Sequence, residues 1–221
     1  MAKTQLPPFQ DLLNTIRTTS LTQPLADVLS LLFEPSPILL KELVPQLKRL
    51  IATDSESRSA PINYEELVDQ ALSVVHGWEW DQKAQFVGGH PRIGEVKGLS
   101  TMSAAEQGQL QAAVSATATA PQPTPPEVLE RLKYLNRIYE RRYPGLVYIT
   151  FVNGRSRGQI KDEMEERMLA EHVLNMKDAV VGSDEVQALD VNGDVWRKEV
   201  TRAVDDVGKI AKDRLKKLDV A

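Results

Sequence analysis

The stretch VWRKEVTRAVDDVGKIAKDRLKKL, residues 195–218, decides the fold class of this chain. Its apolar residues recur every three or four positions, at Val200, Val204, Val207 and Ile210, which is the period of an amphipathic helix. The same period dominates the rest of the chain, and aromatic residues make up only 5%. We therefore expect an all-α, mostly helical protein, built as one compact multi-helix domain over all 221 residues.

The other predicted helices follow from the same spacing and from residues that start or stop helices. Asn63 is a good N-cap for a helix that ends near Gly77, and the prolines after Glu34 end the helix before it. Residues 146–152 are the one run with a strand-like composition, either a strand or a buried extended segment. The predicted helices lie near residues 12–16, 25–32, 38–51 with a kink at Pro45, 63–77, 103–114, 127–142, 157–176 and 195–218.

Charge and composition exclude several classes of partner and site. The chain has 31 acidic and 27 basic residues, a net charge of −4, so we expect no nucleic-acid partner. It has no cysteine, which excludes disulfides, thiolate nucleophiles and iron–sulfur clusters. No stretch approaches the roughly 20 apolar residues of a membrane span, and the N-terminal residues do not resemble a signal peptide. We therefore expect no membrane partner and a cytoplasmic location.

His90 is the first candidate for chemistry. It lies in the loop GGHPRIG, residues 88–94, where flanking glycines and Pro91 favour a shaped loop that can direct an imidazole at a ligand. An ordinary histidine in a loop fits the same pattern. His76 and His172 lie in predicted helices without partners at the spacing of metal ligands, so we expect no metal site.

Two further candidates lie in helices. Ser103 and Glu106 have the spacing of a capping box, while the helix start that they predict would also favour an anion or polar ligand near Glu106 and Gln107. Arg214 lies on the apolar side of the last helix, four positions after Ile210, and therefore points inward. Its guanidinium either pairs with a structural carboxylate or binds a carboxylate or carbonyl group of a ligand.

Four stretches occur in an order that is typical of one family: GGHPRIG at 88–94, SAAEQ at 103–107, LNRIYERRYPGLVYI at 135–149 and KIAKDRL at 209–215. Through them the chain resembles the family of OHCU (2-oxo-4-hydroxy-4-carboxy-5-ureidoimidazoline) decarboxylases, with apparent insertions at 116–126 and 177–195. The resemblance implies a helical homodimer without metal or organic cofactor. It also implies conversion of OHCU, a small ureide of urate degradation, to (S)-allantoin.

The resemblance also assigns roles to individual residues. His90 matches the catalytic histidine, which would supply a proton while acting near its ordinary pKa. Glu106 and Arg214 match two further catalytic positions, the first holding the ureido group and the second a ring carbonyl oxygen. The implied substrate-binding residues are Pro91, Ser103, Gln107, and the run Val147, Tyr148, Ile149, Thr150 and Phe151, whose backbone lines the pocket. The family also allows a peroxisomal location, although the last three residues do not form an import tripeptide.

One stretch departs from the family, and two other functions remain open. Where the family commonly has F-G-F-P-F, this chain has YPGLV at 143–147, so the proline is displaced and an aromatic wall is lost. A helical interaction protein could keep the fold without chemistry, with His90 and Glu106 serving loop geometry and helix capping. A hydrolase of a related ureide would need an activated water, for which Glu106 could be the base.

Overall fold

The computed structural model describes residues 5–53, 60–95, 97–106, 124–171 and 186–220. Contacts divide the chain into two compact units, Met1–His90 with Val200–Ala221, and Pro91–Glu199. The expectation of a single domain over the whole chain stays a prediction. In chain order the elements are β1 (Gln5–Leu6), α1 (Phe9–Thr18), α2 (Gln23–Phe33), a π-helical turn (Leu39–Leu43), α3 (Val44–Thr53), α4 (Tyr64–His76), α5 (Trp80–Val87), α6 (Thr101–Glu106), α7 (Pro126–Arg142), α8 (Arg157–Ala170), α9 (Asp194–Lys217) and β2 (Asp219–Val220).

The mostly helical fold class is confirmed. Within the described residues the strands are two short segments that pair in parallel, with Gln5 opposite Asp219 and Leu6 opposite Val220. The sequence did not predict this pair, because two residues are too few to show a strand period. Over the same residues, no helix is both long and apolar enough to cross a membrane.

The first unit is built on the packing of α1, α2, α3 and α4. The residues predicted to face the core of α1, Leu12, Leu13 and Ile16, are all buried. Helix α2 ends at Phe33, directly before Glu34, as the two following prolines predict. Its apolar face is likewise buried, and these faces supply the main hydrophobic stabilisation of the unit.

Pro45 produces the expected irregularity in the helix over residues 38–51, in the form of a π-helical turn. The Val44 N–H donates to the carbonyl of Leu39, five positions earlier, where a regular α-helix would use the residue four positions earlier. Pro45 has no N–H of its own, and its ring would clash with the carbonyl of Lys41 in a regular helix. The wider turn relieves this clash without ending the helix.

Helix α4 begins and ends where the sequence predicts. The Asn63 side chain accepts a hydrogen bond of 2.8 Å from the Glu66 N–H, and the helix ends before Gly77. Gly208 lets α9 pack closely on α4, because a Cβ there would lie 2.6 Å from a methyl carbon of Leu72. Helix α5 was not predicted, since WDQKAQFV has too few apolar positions to show a helical face.

The second unit is centred on α7 and α8, which pack against each other. Leu132, Leu135 and Ile138 of α7 are fully buried, as are Ile160 and Met164 of α8. Both helices start close to the predicted positions, and the last part of the predicted helix at 157–176 lies outside the described residues.

Residues 146–152 do not form a strand, so the first of the two interpretations of this run is wrong. The buried residues within the run are Leu146, Tyr148 and Ile149. The chain then turns through Asn153 and Gly154, whose φ angles are 47° and 77°. Ser156 caps α8, since its hydroxyl accepts a hydrogen bond of 3.2 Å from the Gln159 N–H. The glycine-containing stretch after this run is therefore a turn that leads into a helix.

Candidate functional site

His90 is held by the loop that follows α5 in the first unit. The His90 N–H donates a 3.1 Å hydrogen bond to the Val87 carbonyl, so the loop continues the last turn of the helix. Gly89 packs directly on Ser36, because a Cβ at Gly89 would lie 2.7 Å from the Ser36 Cβ. The position of the imidazole is thus fixed by backbone contacts on both sides of the loop.

The His90 side chain is buried and chemically unusual. Only 6% of the residue is exposed, its ring lies edge-on to Phe86, and among the described residues neither ring nitrogen has a well-formed hydrogen bond. Burial, and to a lesser extent the positive charge of Arg214, lowers the pKa of His90 to about 4. The negative charge of the Glu34 carboxylate raises the pKa of His90. The backbone of Phe86 and Val87 also acts on the ring and raises its pKa slightly. The expectation that His90 acts near its ordinary pKa is therefore wrong, because packing in the folded chain lowers that pKa well below 6.5.

Arg214 points inward, as the helical spacing predicts, and is only 1% exposed. Its Nη2 donates a 2.7 Å hydrogen bond to Oε1 of Glu34. Its Nη1 donates to the carbonyls of Leu31 and Leu32 at 3.3 Å each. These carbonyls belong to the last turn of α2, which lacks partners within the helix, so Arg214 also completes the end of α2.

Glu34 is the residue of this site that the sequence did not predict. It is 5% exposed and occupies an unusual backbone conformation, with φ 68° and ψ 138°. The sequence feature that could have indicated Glu34 is a single carboxylate between an apolar helix and two prolines, in LLFEPSP at residues 31–37. That pattern suggests a buried charge but does not reveal its partner, because Arg214 lies 180 positions further along the chain.

The predicted substrate-binding residues Pro91 and Ser103, and the predicted catalytic Glu106, lie in the second unit. Ser103 is buried and is the third residue of α6, and Glu106 is its last residue. The capping role predicted for Ser103 is wrong. Ser100 takes that place, since its hydroxyl accepts a 3.0 Å hydrogen bond from the Ser103 N–H. Gln107 and residues 107–123, which hold most of the apparent insertion at 116–126, lie outside the described residues, as does His172.

The predicted pocket-lining run also belongs to the second unit. Tyr148 and Ile149 are buried, and the Tyr148 ring lies edge-on to Tyr139 at 5.3 Å between ring centres. Arg155 fixes the end of the run, because its Nη2 donates to the Thr150 hydroxyl at 3.0 Å and to the Phe151 carbonyl. Val147 is half-buried between them. The backbone of the run is thus held at its C-terminal end by Arg155.

A cavity of about 430 Å³ lies in the second unit between the loop after Pro91 and one face of α7. Asn136 and Ile93 line it, and the Asn136 amide donates a 2.9 Å hydrogen bond to the Ile93 carbonyl. Arg92, at its edge, forms an ion pair with Glu140. None of the described residues of the predicted site lines this cavity.

Within the described residues, no group of three or more histidine and carboxylate side chains could hold a metal ion. The structure brings together three residues of the first unit: His90, Arg214 and Glu34. The arrangement offers an imidazole that is free to exchange a proton beside a fixed guanidinium that can stabilise negative charge.

Comparison with known proteins identifies the relatives of this chain. The sequence model of the OHCU decarboxylase family matches residues 20–182. The chain belongs to the OHCU decarboxylase family. The match includes the His90 loop and the α6 region but ends before Arg214, so the place of Arg214 in the site depends on its contact with the His90 environment.

A solved structure supports the fold of this family member. A crystal structure of (S)-allantoin synthase aligns with a TM-score of 0.51 and 17% sequence identity. The alignment covers 96% of this chain and 54% of that one, so the chain spans about half the length of the solved protein. A search of curated protein sequences finds no significant match.

Proposed function

We propose that this chain catalyses the decarboxylation of OHCU to (S)-allantoin, without a metal or an organic cofactor. The observation that carries the proposal is the buried His90 imidazole, for which the described residues provide no well-formed hydrogen bond at either nitrogen, in a chain of the OHCU decarboxylase family. A buried polar ring without partners costs stability, so its retention is explained by a ligand that supplies the missing hydrogen bonds.

The substrate itself can accept the electrons of the broken bond. The bond between the ring carbon and the carboxylate breaks, CO₂ leaves, and the electron pair moves into the conjugated imine of the ring. The imine nitrogen takes a proton from solvent, which leaves an enol at the carbon that carried the carboxylate. Transfer of the enol proton to the carbon that bears the ureido group then gives allantoin. The protein therefore has to position the substrate and direct one proton.

His90 is suited to that proton transfer because it is neutral at rest. A neutral imidazole takes the proton of the hydroxyl group and returns it to the ureido-bearing carbon. The pKa of about 4 favours rapid return of the proton, since the imidazolium form is unstable in this buried place. Delivery from one side of the ring fixes the handedness of the product.

Arg214 would stabilise the negative charge that develops on ring oxygen and nitrogen during loss of CO₂. Its guanidinium is held by hydrogen bonds to Glu34 and to the end of α2, so it does not have to reorganise during the reaction. By family resemblance, Glu106 and Gln107 would hold the ureido group, Pro91 and Ser103 would contact the substrate, and the backbone of residues 147–151 would line the pocket. We propose these roles together with the reaction.

The family resemblance also supports two properties of the whole protein. We propose a homodimer, which light scattering on the purified chain would detect as twice the mass of 24.7 kDa. A cytoplasmic location is proposed as well, and imaging of a tagged protein would test it.

The reaction is tested by generating OHCU in place from urate with the two upstream enzymes and adding this chain. We expect rapid release of CO₂ and the appearance of one allantoin enantiomer, measured by circular dichroism. Release of ammonia without CO₂ would support a ureide hydrolase instead. A racemic product formed at the spontaneous rate would support a non-catalytic relative.

A further inference from the structure

The ion pair between Glu34 and Arg214 is buried at both ends. The two residues are 5% and 1% exposed, and the Oε1 to Nη2 distance is 2.7 Å. Burial of two charges costs free energy that one hydrogen bond does not recover, so such pairs are poor devices for stability alone. Stability of the fold alone therefore does not explain this pair, and we infer that it has a further role.

The backbone conformation of Glu34 is a second, independent observation that points to a role for its side chain. A φ of 68° with a ψ of 138° is a conformation that glycine adopts freely and other residues adopt at a cost. A glycine would end α2 at this position without strain. The chain instead has a carboxylate here, and that carboxylate reaches Arg214.

The hydrogen bonds of Arg214 explain what the carboxylate achieves. Nη1 donates to the Leu31 and Leu32 carbonyls, and Nη2 donates to Glu34. Bonds from both terminal nitrogens fix the plane of the guanidinium as well as its place. The bond to the carboxylate, at 2.7 Å, is shorter than the two bonds to the carbonyls, at 3.3 Å each, and therefore contributes most to holding that plane.

Glu34 also limits the effect that Arg214 has on the pKa of His90. The positive charge of Arg214 lowers the pKa of His90, whereas the negative charge of Glu34 raises it. Within the described residues these are the two charged groups that act on the imidazole. An unpaired guanidinium beside His90 would make the ring still harder to protonate.

We propose that Glu34 is a positioning residue for the decarboxylation, which holds the Arg214 guanidinium in one orientation and partly neutralises it beside His90. This inference rests on the proposed function. Glu34 does not touch the substrate in this account, and it acts through Arg214. Its loss therefore lowers kcat, because a misdirected guanidinium stabilises the transition state less, and changes KM little.

The test compares Glu34→Gln and Glu34→Asp with the wild-type chain, using OHCU generated in place. Glu34→Gln keeps the size of the side chain and removes its charge. Glu34→Asp keeps the charge, but its side chain is shorter by one methylene group, so the carboxylate lies further from Arg214. The matched control is Asp69→Asn, which removes the carboxylate that pairs with Lys212 at 2.6 Å, two positions before Arg214 on α9. Thermal melting gives the folded fraction, so that kcat is expressed per folded molecule.

We expect Glu34→Gln to lower kcat at least tenfold with KM within twofold of the wild-type value, and Glu34→Asp to lower kcat by a smaller factor. Asp69→Asn should keep the wild-type kcat. If Glu34→Gln does not fold, Glu34→Asp decides the question by the same comparison of kcat with KM. Folded Glu34 variants with a kcat within twofold of wild type would overturn the positioning role. A wild-type chain without activity would instead contradict the proposed function itself.

Discussion

Gly89 lies so close to Ser36 that a Cβ atom at Gly89 would come within 2.7 Å of the Ser36 Cβ. The atom it would meet is bonded directly to the backbone and cannot swing away. Ser36 is itself buried and its hydroxyl accepts a hydrogen bond from the Leu39 N–H, so it cannot move without disturbing the next helix. The loop that carries His90 is therefore locked against the end of α2 by the absence of a side chain.

Gly89→Ala should consequently disturb both stability and activity. We expect the free energy of unfolding to fall by about 1–3 kcal/mol, as for other overpacked sites, and kcat to fall because His90 moves with the loop. Urea denaturation and turnover would measure the two effects. Gly158→Ala is the control, since the nearest atom to a Cβ there lies at 3.7 Å and the site is helical. An unchanged stability for Gly89→Ala would contradict the close contact.

Two tyrosines of α7 provide a matched test of buried hydrogen bonding. The Tyr139 hydroxyl donates a 2.5 Å hydrogen bond to the buried Glu199, whereas the buried Tyr134 hydroxyl has no partner in the part of the chain that the structure describes. We expect Tyr139→Phe to lower the free energy of unfolding by about 1.5–3 kcal/mol, because the charged Glu199 acceptor loses one of its donors and keeps the ion pair with Arg167. Tyr134→Phe should be neutral or stabilising. If urea denaturation shows the same loss in free energy of unfolding for both variants, the difference in hydrogen bonding between the two hydroxyls is contradicted.

The pKa of His90 predicts how stability depends on pH. A histidine in the unfolded chain has a pKa of about 6.5, so as the pH falls the unfolded chain binds a proton before folded His90 does. The contribution of His90 to stability is therefore complete above pH 6.5 and is lost as the pH falls toward 4. Between pH 7 and pH 5 the loss should be about 2 kcal/mol.

The matched variant for this pH effect is His90→Leu, which cannot titrate at this position. Its free energy of unfolding should fall by about 2 kcal/mol less than that of the wild-type chain over the same interval. Denaturation curves at pH 7, 6 and 5 would show the difference. Parallel curves for the two proteins would mean that His90 is not held neutral by the fold.

The Glu34–Arg214 pair allows stability and catalysis to be separated. Arg214→Met should lower the free energy of unfolding by about 3–5 kcal/mol, because the buried Glu34 carboxylate loses the guanidinium that balances its charge. The double variant Glu34→Leu with Arg214→Met removes both charges, so most of that stability should return while turnover stays lost. Recovery of turnover in the double variant would contradict a catalytic role for Arg214.

The sequence predicts the parts of the fold that depend on local patterns. The apolar stripe that ends at Arg214, the Asn63 cap and the break after α2 follow from spacing and from residues with one strong preference. The same reasoning fails at α6, where Ser100 and Ser103 are both acceptable caps and only the structure selects the first.

The candidate site is less predictable for a physical reason. Helical spacing shows that Arg214 points inward, but it does not show that Glu34, 180 positions earlier, is its partner. A loop pattern likewise identifies His90 without revealing its pKa, because burial and the charge of Arg214 arise only when distant segments pack together.

The most direct test of the central claim, that neutral His90 carries the proton to one face of the substrate, is the handedness of the product. OHCU generated in place is treated with wild-type chain, His90→Leu or His76→Leu, and allantoin is followed by circular dichroism. We expect the wild-type chain and His76→Leu to form one enantiomer rapidly, and His90→Leu to leave a racemic product at the spontaneous rate. One enantiomer formed by His90→Leu at the wild-type rate would contradict the account.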